Sequence, residues 1–169
     1  MYGERGRSMA RGELASMQAL HSVSPDMVPE PVNWGTLEAN PDAHFFICKY
    51  VEMTDELPDP YSFCRKLADL HRRSMEMSLN GKFGFDVTTC RGTYPQDNEW
   101  NDSWEAFFSR QTRNAFKWEV DVQGRCEEYD KLLPPFFEKV IPRLLRPLET
   151  GDNVLRPVLV HGEVQTSLV

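Results

Sequence analysis

Between Ser8 and Leu20 the apolar residues Met9, Leu14, Met17 and Leu20 recur at helical spacing, and Ser24-Pro25 ends the run, which predicts a first helix. Glu13 lies four residues from both Met9 and Met17 and so projects near their face. By itself that pattern reads as a helix-edge carboxylate reaching water. The stretches VPEPVNWG and AHFFICKYVEM are short, partly β-branched or aromatic, and predict two strands joined by a turn around Asn40-Pro41-Asp42. TDELPDP then reads as a loop at a junction between two lobes.

From Tyr61 to about Leu79, Phe63, Cys64, Leu67, Leu70, His71 and Met75 mark one face of an amphipathic helix that Gly81 stops. GKFGFDVTTCRGTYPQDNEW carries Gly, Pro, Asn and Asp throughout, so an ordered loop with at most short strands is expected. A helix opens near Asp102, whose spacing to Glu105 fits a capping box, and Trp100, Trp104, Phe107, Phe108 and Gln111 follow as an aromatic stripe expected in the core. The series Leu132, Leu133, Phe136, Phe137, Val140, Ile141, Leu144, Leu145, Leu148 is the strongest helical pattern, interrupted by Pro134-Pro135 and Pro142, so two helical pieces should meet at the prolines. Gly151-Asp152-Asn153 turns the chain into a last strand at Val158–Val160, which delivers His161-Gly162-Glu163. The pattern as a whole gives an α+β chain of two unequal parts, with a site at the carboxyl end of that strand.

Composition narrows the chemistry. With 40% hydrophobic, 11% aromatic and 27% charged residues among 169, a packed core is expected. The net charge of −7 disfavours nucleic acid or an anionic membrane as partner. Cys48, Cys64, Cys90 and Cys126 lack metal-ligand spacing and read as reduced thiols, and the four histidines are equally scattered, so no metal site is assigned. The start of the chain lacks the apolar core of a signal peptide, which makes the cytoplasm the default compartment. There is no Gly-rich phosphate loop, nucleophile elbow or His-x-x-x-His pair.

Residues 82 to 111, KFGFDVTTCRGTYPQDNEWNDSWEAFFSRQ, resemble the signature of the fructosamine and ketosamine (protein-ribulosamine) 3-kinase family, through FGF, TC-x-G, PQ-x-N-x-W and W-x-x-FF-x-x-Q. ARGELASMQALH is similar to that family's regulatory helix, HFFICKYVEM to its hinge strand, KLADLHRRS to its first large-lobe helix and LVHGE to its catalytic turn. The resemblance implies a protein-kinase-like fold. Residues 1–53 would be a partial small lobe with the hinge, 54–163 a partial helical large lobe up to the catalytic turn, and 164–169 a divergent tail. It implies ATP with Mg²⁺ as cofactors, and phosphorylation of the 3-hydroxyl of ketosamine adducts on glycated proteins or of small ketosamines. Oligomeric state is left open.

By the same resemblance, Glu13 is the helix carboxylate that pairs with the family's phosphate-binding lysine, and Lys49, Tyr50 and Val51 hold adenine through backbone groups. Glu163 stands where the family has the Asp that accepts the proton of the attacking hydroxyl. The phosphate-binding lysine is expected upstream of Met1 and a second metal carboxylate beyond Val169, while Leu168 takes the position of a metal-ligating Asn. Glu163 also adds a methylene, moving the carboxylate by roughly 1–1.5 Å, a misplacement that can cost on the order of a hundredfold. The chain as it stands is therefore expected to be inactive. The alternatives are a non-catalytic binding module and a gene-model fragment that does not fold stably. The loop Phe83–Trp100 and the helix start at Asp102 are the candidates for substrate contact.

Overall fold

Helix α1 spans Gly3–Val23, beginning earlier than Ser8 because Glu4 favours its first turn and the Gly6 N–H donates to Tyr2 O at 3.0 Å. Gly6, Ala10, Glu13, Met17 and Leu20 follow one another at spacings of three and four and so form one row along it. Gly6 and Ala10 are buried, Gly6 closely against Met1, and the helix packs on both strands of a hairpin. The computed structural model describes residues 1–52, 56–78 and 81–162.

The hairpin is antiparallel, β1 (Pro31–Leu37) with β2 (Asn40–Cys48). Its turn falls at Glu38-Ala39, not at Asn40-Pro41-Asp42. Thr36 pairs with His44 but Leu37 with Asn40, so Pro41–Ala43 bulge out of the ladder. The residues that looked like the turn make the bulge instead, since Pro41 has no N–H to donate and the Asp42 N–H bonds the Asn40 side chain at 3.1 Å.

Helix α2 (Pro60–Ser74) starts with Pro60 in its first turn and the Asp59 carboxylate accepting the Ser62 N–H at 2.8 Å. It ends at Ser74, short of the expected Leu79. Leu70, 1% exposed, closes a cluster with Leu20 of α1 and Val28, flanked by Met17, Leu67 and Leu159. Val158–Val160 is not a strand. No strand among the described residues offers it a ladder, and the Leu159 N–H goes to the Ser74 hydroxyl at 2.9 Å while its side chain joins the cluster.

Of the described residues, these segments, within 1–78 and 158–162, form one compact unit, and 81–157 form another. Helix α2, which lies within the expected large-lobe span of 54–163, falls in the same compact unit as the described part of 1–53. In the second unit the loop carries the short hairpin β3 (Cys90–Arg91) and β4 (Tyr94–Pro95), and Phe83 pairs with Asn101. Helix α3 runs over Trp104–Gln123. Its cap is Ser103, whose hydroxyl accepts the Ala106 N–H at 3.2 Å, so the Asp102–Glu105 capping box is displaced by one residue.

The aromatic stripe is half-buried rather than a sealed core. Trp104 lies 5.4 Å from Phe83 and 5.8 Å from both Phe107 and Phe108. Helix α4 (Glu127–Pro135) passes through one π turn, Phe136–Val140, into α5 (Ile141–Leu145) and a 3₁₀ turn, Arg146–Glu149. The expected meeting of helices at the prolines takes this form because three missing N–H donors break the ladder, and the Ile141 N–H reaches back to Phe136 O. Phe137 and Ile141 are buried, with the Arg113 guanidinium 3.9 Å over the Phe137 ring. The described residues thus form an α+β structure, helices with two small antiparallel sheets.

Candidate active site

Chain geometry places the expected hinge directly after β2. The Lys49 N–H donates to Glu30 O at 2.8 Å and its ammonium pairs with the Glu30 carboxylate, so Lys49 is tied twice to the residue preceding β1. That ammonium holds the Glu30 carboxyl below its ordinary value. Tyr50 and Val51 follow with 89% and 55% exposure, and their backbone groups take no backbone partner among the described residues. A ligand edge can therefore approach them through N–H and C=O groups whatever their side chains are.

Glu13 is exposed and makes no hydrogen bond or ion pair among the described residues. Its place in the row matters. Gly6 and Ala10 on one side are buried, Met17 and Leu20 on the other pack on the α2 cluster, and the carboxylate marks the accessible gap between these contacts. In the same unit, Leu159 is fixed to Ser74, His161 is exposed, and Gly162 has φ +88°, a conformation that favours glycine. Glu163, the expected proton acceptor, lies outside the described residues. Leu168 does as well.

The 82–111 segment owes its composition to a polar knot in the second unit. The Asn98 amide donates to Val87 O at 2.9 Å and to Thr89 Oγ1 at 2.8 Å, which fastens the loop across itself. Gln111 of α3 donates to Asp97 O at 2.7 Å, and Asn114 to the Asp97 carboxylate at 3.2 Å. Arg110 pairs with that carboxylate at 3.1 Å and donates to Glu99 O. The Trp100 indole donates to Asp86 at 3.2 Å. A Cβ on Gly84 would stand 2.8 Å from both Asn98 O and Trp100 Cα, so only glycine fits there. Tyr94 packs edge-on to Trp118, and burial, then the Asp97 charge, pushes its phenol up from the ordinary value.

At the start of α3 lies an open depression of about 470 Å³ lined by Asp102, Ser103, Glu105, Arg146 and Glu149. Its anion-favouring floor is taken by the protein itself. The Glu149 carboxylate accepts from the Trp104 and Glu105 N–H groups at 2.7 Å and from the Ser103 hydroxyl at 3.0 Å. Beside it Arg146 grips Glu105 through two bonds of 2.8 and 2.9 Å and holds that carboxyl below its ordinary value. Glu149 carries no sequence signal of this role, being a lone acid 44 residues from its partner. Among the described residues no three His, Cys, Asp or Glu converge.

The family model for fructosamine kinase matches residues 3–166. The chain belongs to the fructosamine kinase family. It is 30% identical to the protein-ribulosamine 3-kinase, chloroplastic, of Oryza sativa subsp. indica, over 96% of this chain and 44% of the relative. It is 29% identical to the ketosamine-3-kinase of Mus musculus, over 94% of this chain and 55% of the relative. The chain thus spans about half the length of these curated relatives. In this fructosamine kinase-family chain no helix among the described residues is long and apolar enough to cross a membrane.

Proposed function

We propose that this chain is part of an ATP-dependent kinase that phosphorylates the 3-hydroxyl of ketosamines, either small or formed on glycated proteins. The family match over residues 3–166 carries the reading. The relatives named for ribulosamine and ketosamine 3-kinases supply the substrate class. In this reading the fold is kinase-like, with residues 1–53 as part of the small lobe, 54–163 as part of the large lobe, and 164–169 as a tail. The action is placed in the cytoplasm.

Tyr50 and Val51 present backbone donors and acceptors to adenine, with Lys49 held in place by Glu30. Glu13 supplies a carboxylate for a cation that clamps phosphate, and Glu163 receives the proton of the 3-hydroxyl as it attacks. With Leu168 where a metal ligand is wanted, the 169-residue chain itself turns over no substrate. The test is ³¹P NMR of ATP with a small ribulosamine. Resonances of a ketosamine 3-phosphate are expected only after Glu163→Asp and Leu168→Asn are combined in a protein extended to the full length of the relatives. Transfer to a different acceptor class by that protein would overturn the assignment.

A further inference from the structure

We infer that Ser74 is a positioning residue that fixes the segment leading into His161 and Gly162. Its role in catalysis rests on the kinase reading, whereas the fixation itself does not. Ser74 is the last residue of α2 and is 1% exposed, an unusual place for a hydroxyl unless both its hydrogen-bonding functions are used. Both are. The hydroxyl donates to His71 O at 3.0 Å, which aims its lone pairs outward from the helix, and accepts the Leu159 N–H at 2.9 Å.

The bond spans 85 positions of sequence and reaches a segment that no strand supports among the described residues. Leu159 is pinned on both sides of its backbone: its N–H by Ser74, its side chain by Leu20, Val28 and Leu70. Two residues on stands His161, then Gly162 at φ +88°. The chain thus leaves toward His161 and Gly162 from a point set by that hydroxyl together with the apolar cluster. A catalytic carboxylate must be held to within about half an ångström, which a free loop cannot do.

The experiment is amide hydrogen exchange and histidine ring spectra by NMR on the full chain, for the parent, Ser74→Ala, Ser74→Thr and Ser74→Val. Ser74→Ala should accelerate Leu159 exchange at least about tenfold and shift the His161 ring signals, with the Leu67 and Leu70 amides showing that the helix is kept. Ser74→Thr should restore both, and Ser74→Val, which has the same shape without the hydroxyl, should not. An unchanged Leu159 amide and His161 ring in Ser74→Ala overturns the proposal, as does equal behaviour of Thr and Val. In the protein that shows ketosamine phosphorylation, Ser74→Ala should lower kcat about tenfold and leave the KM for ATP within twofold. An unaltered kcat there refutes the catalytic role. Failure of any form to phosphorylate ketosamines would reject the kinase reading, while the exchange result would still decide the fixation.

Discussion

Replacing Gly84 with alanine tests whether the family signature is a packing device. The added Cβ meets Asn98 O and Trp100 Cα at 2.8 Å and Trp100 Cε3 at 2.9 Å. Two of these atoms are backbone, so no rotamer change relieves them. Restoring ordinary contact at about 3.4 Å means parting the two chain segments by about 0.6 Å. That displacement loads the reciprocal Phe83–Asn101 bonds, both 2.8 Å, and the Phe85 N–H to Asn98 O bond of 2.9 Å. Each is worth about 1 kcal/mol net, and overpacking a tight contact costs about 1–3 kcal/mol. The expected loss is about 3 kcal/mol. Gly92→Ala is the control, because Gly92 has φ +58° but open space around it, and a left-handed alanine alone costs about 1–2 kcal/mol. Urea unfolding read by tryptophan fluorescence in a Trp34→Phe background isolates the second unit, since the remaining Trp100, Trp104 and Trp118 all lie within 81–157. A loss for Gly84→Ala no larger than for Gly92→Ala refutes the close-approach argument.

Glu149→Ala strips α3 of the carboxylate on its first N–H groups. The depression is open enough for water to replace part of it, so the stability of the second unit should drop by about 1–2 kcal/mol, roughly 4–16 °C in a thermal melt. Glu149→Gln should recover about half, because its amide offers one acceptor oxygen. Leu70→Ala empties the centre of the α1–α2 cluster and should destabilise the first unit by about 3 kcal/mol, read from Trp34 fluorescence under urea. Asp26, Asp59, Glu30 and Glu105 have folded carboxyls held below their ordinary 3.8 or 4.5, by Lys66, the Ser62 N–H, Lys49 and Arg146 respectively. Their contribution is complete above those ordinary values and is lost as pH falls through the lowered ones, so the midpoint of denaturation should decline on acidifying below about pH 4.5. The salt-sensitive share of that decline should disappear when Lys66→Met, Lys49→Met and Arg146→Met are combined, leaving the Asp59 cap.

Local chemistry made much of this chain legible. The period of Met17, Leu20, Leu67 and Leu70 gives two amphipathic helices because burial repeats with the helical turn, and prolines at 134, 135 and 142 announce a broken ladder because they carry no N–H. The signature at 82–111 identifies the family, since its glycine, asparagine and tryptophan positions answer to contacts within one short segment. The hairpin turn was displaced because Asn40-Pro41-Asp42 suits a bulge as well as a turn, and the choice between them belongs to the partner strand. Val158–Val160 has the composition of a strand, yet a strand also needs a neighbour.

What the sequence by itself determined was the helices, the existence of the hairpin, the loop that the signature fills and the family. Those follow from interactions a few residues apart. Only the tertiary structure decided that Ser74 holds Leu159, that Glu149 caps α3, and that Glu13 sits in the gap between two buried stretches of its own helix. Each of these joins groups tens of residues apart, or depends on what lies over a helix face. A hydroxyl or carboxylate carries no local mark of the distant N–H it will accept.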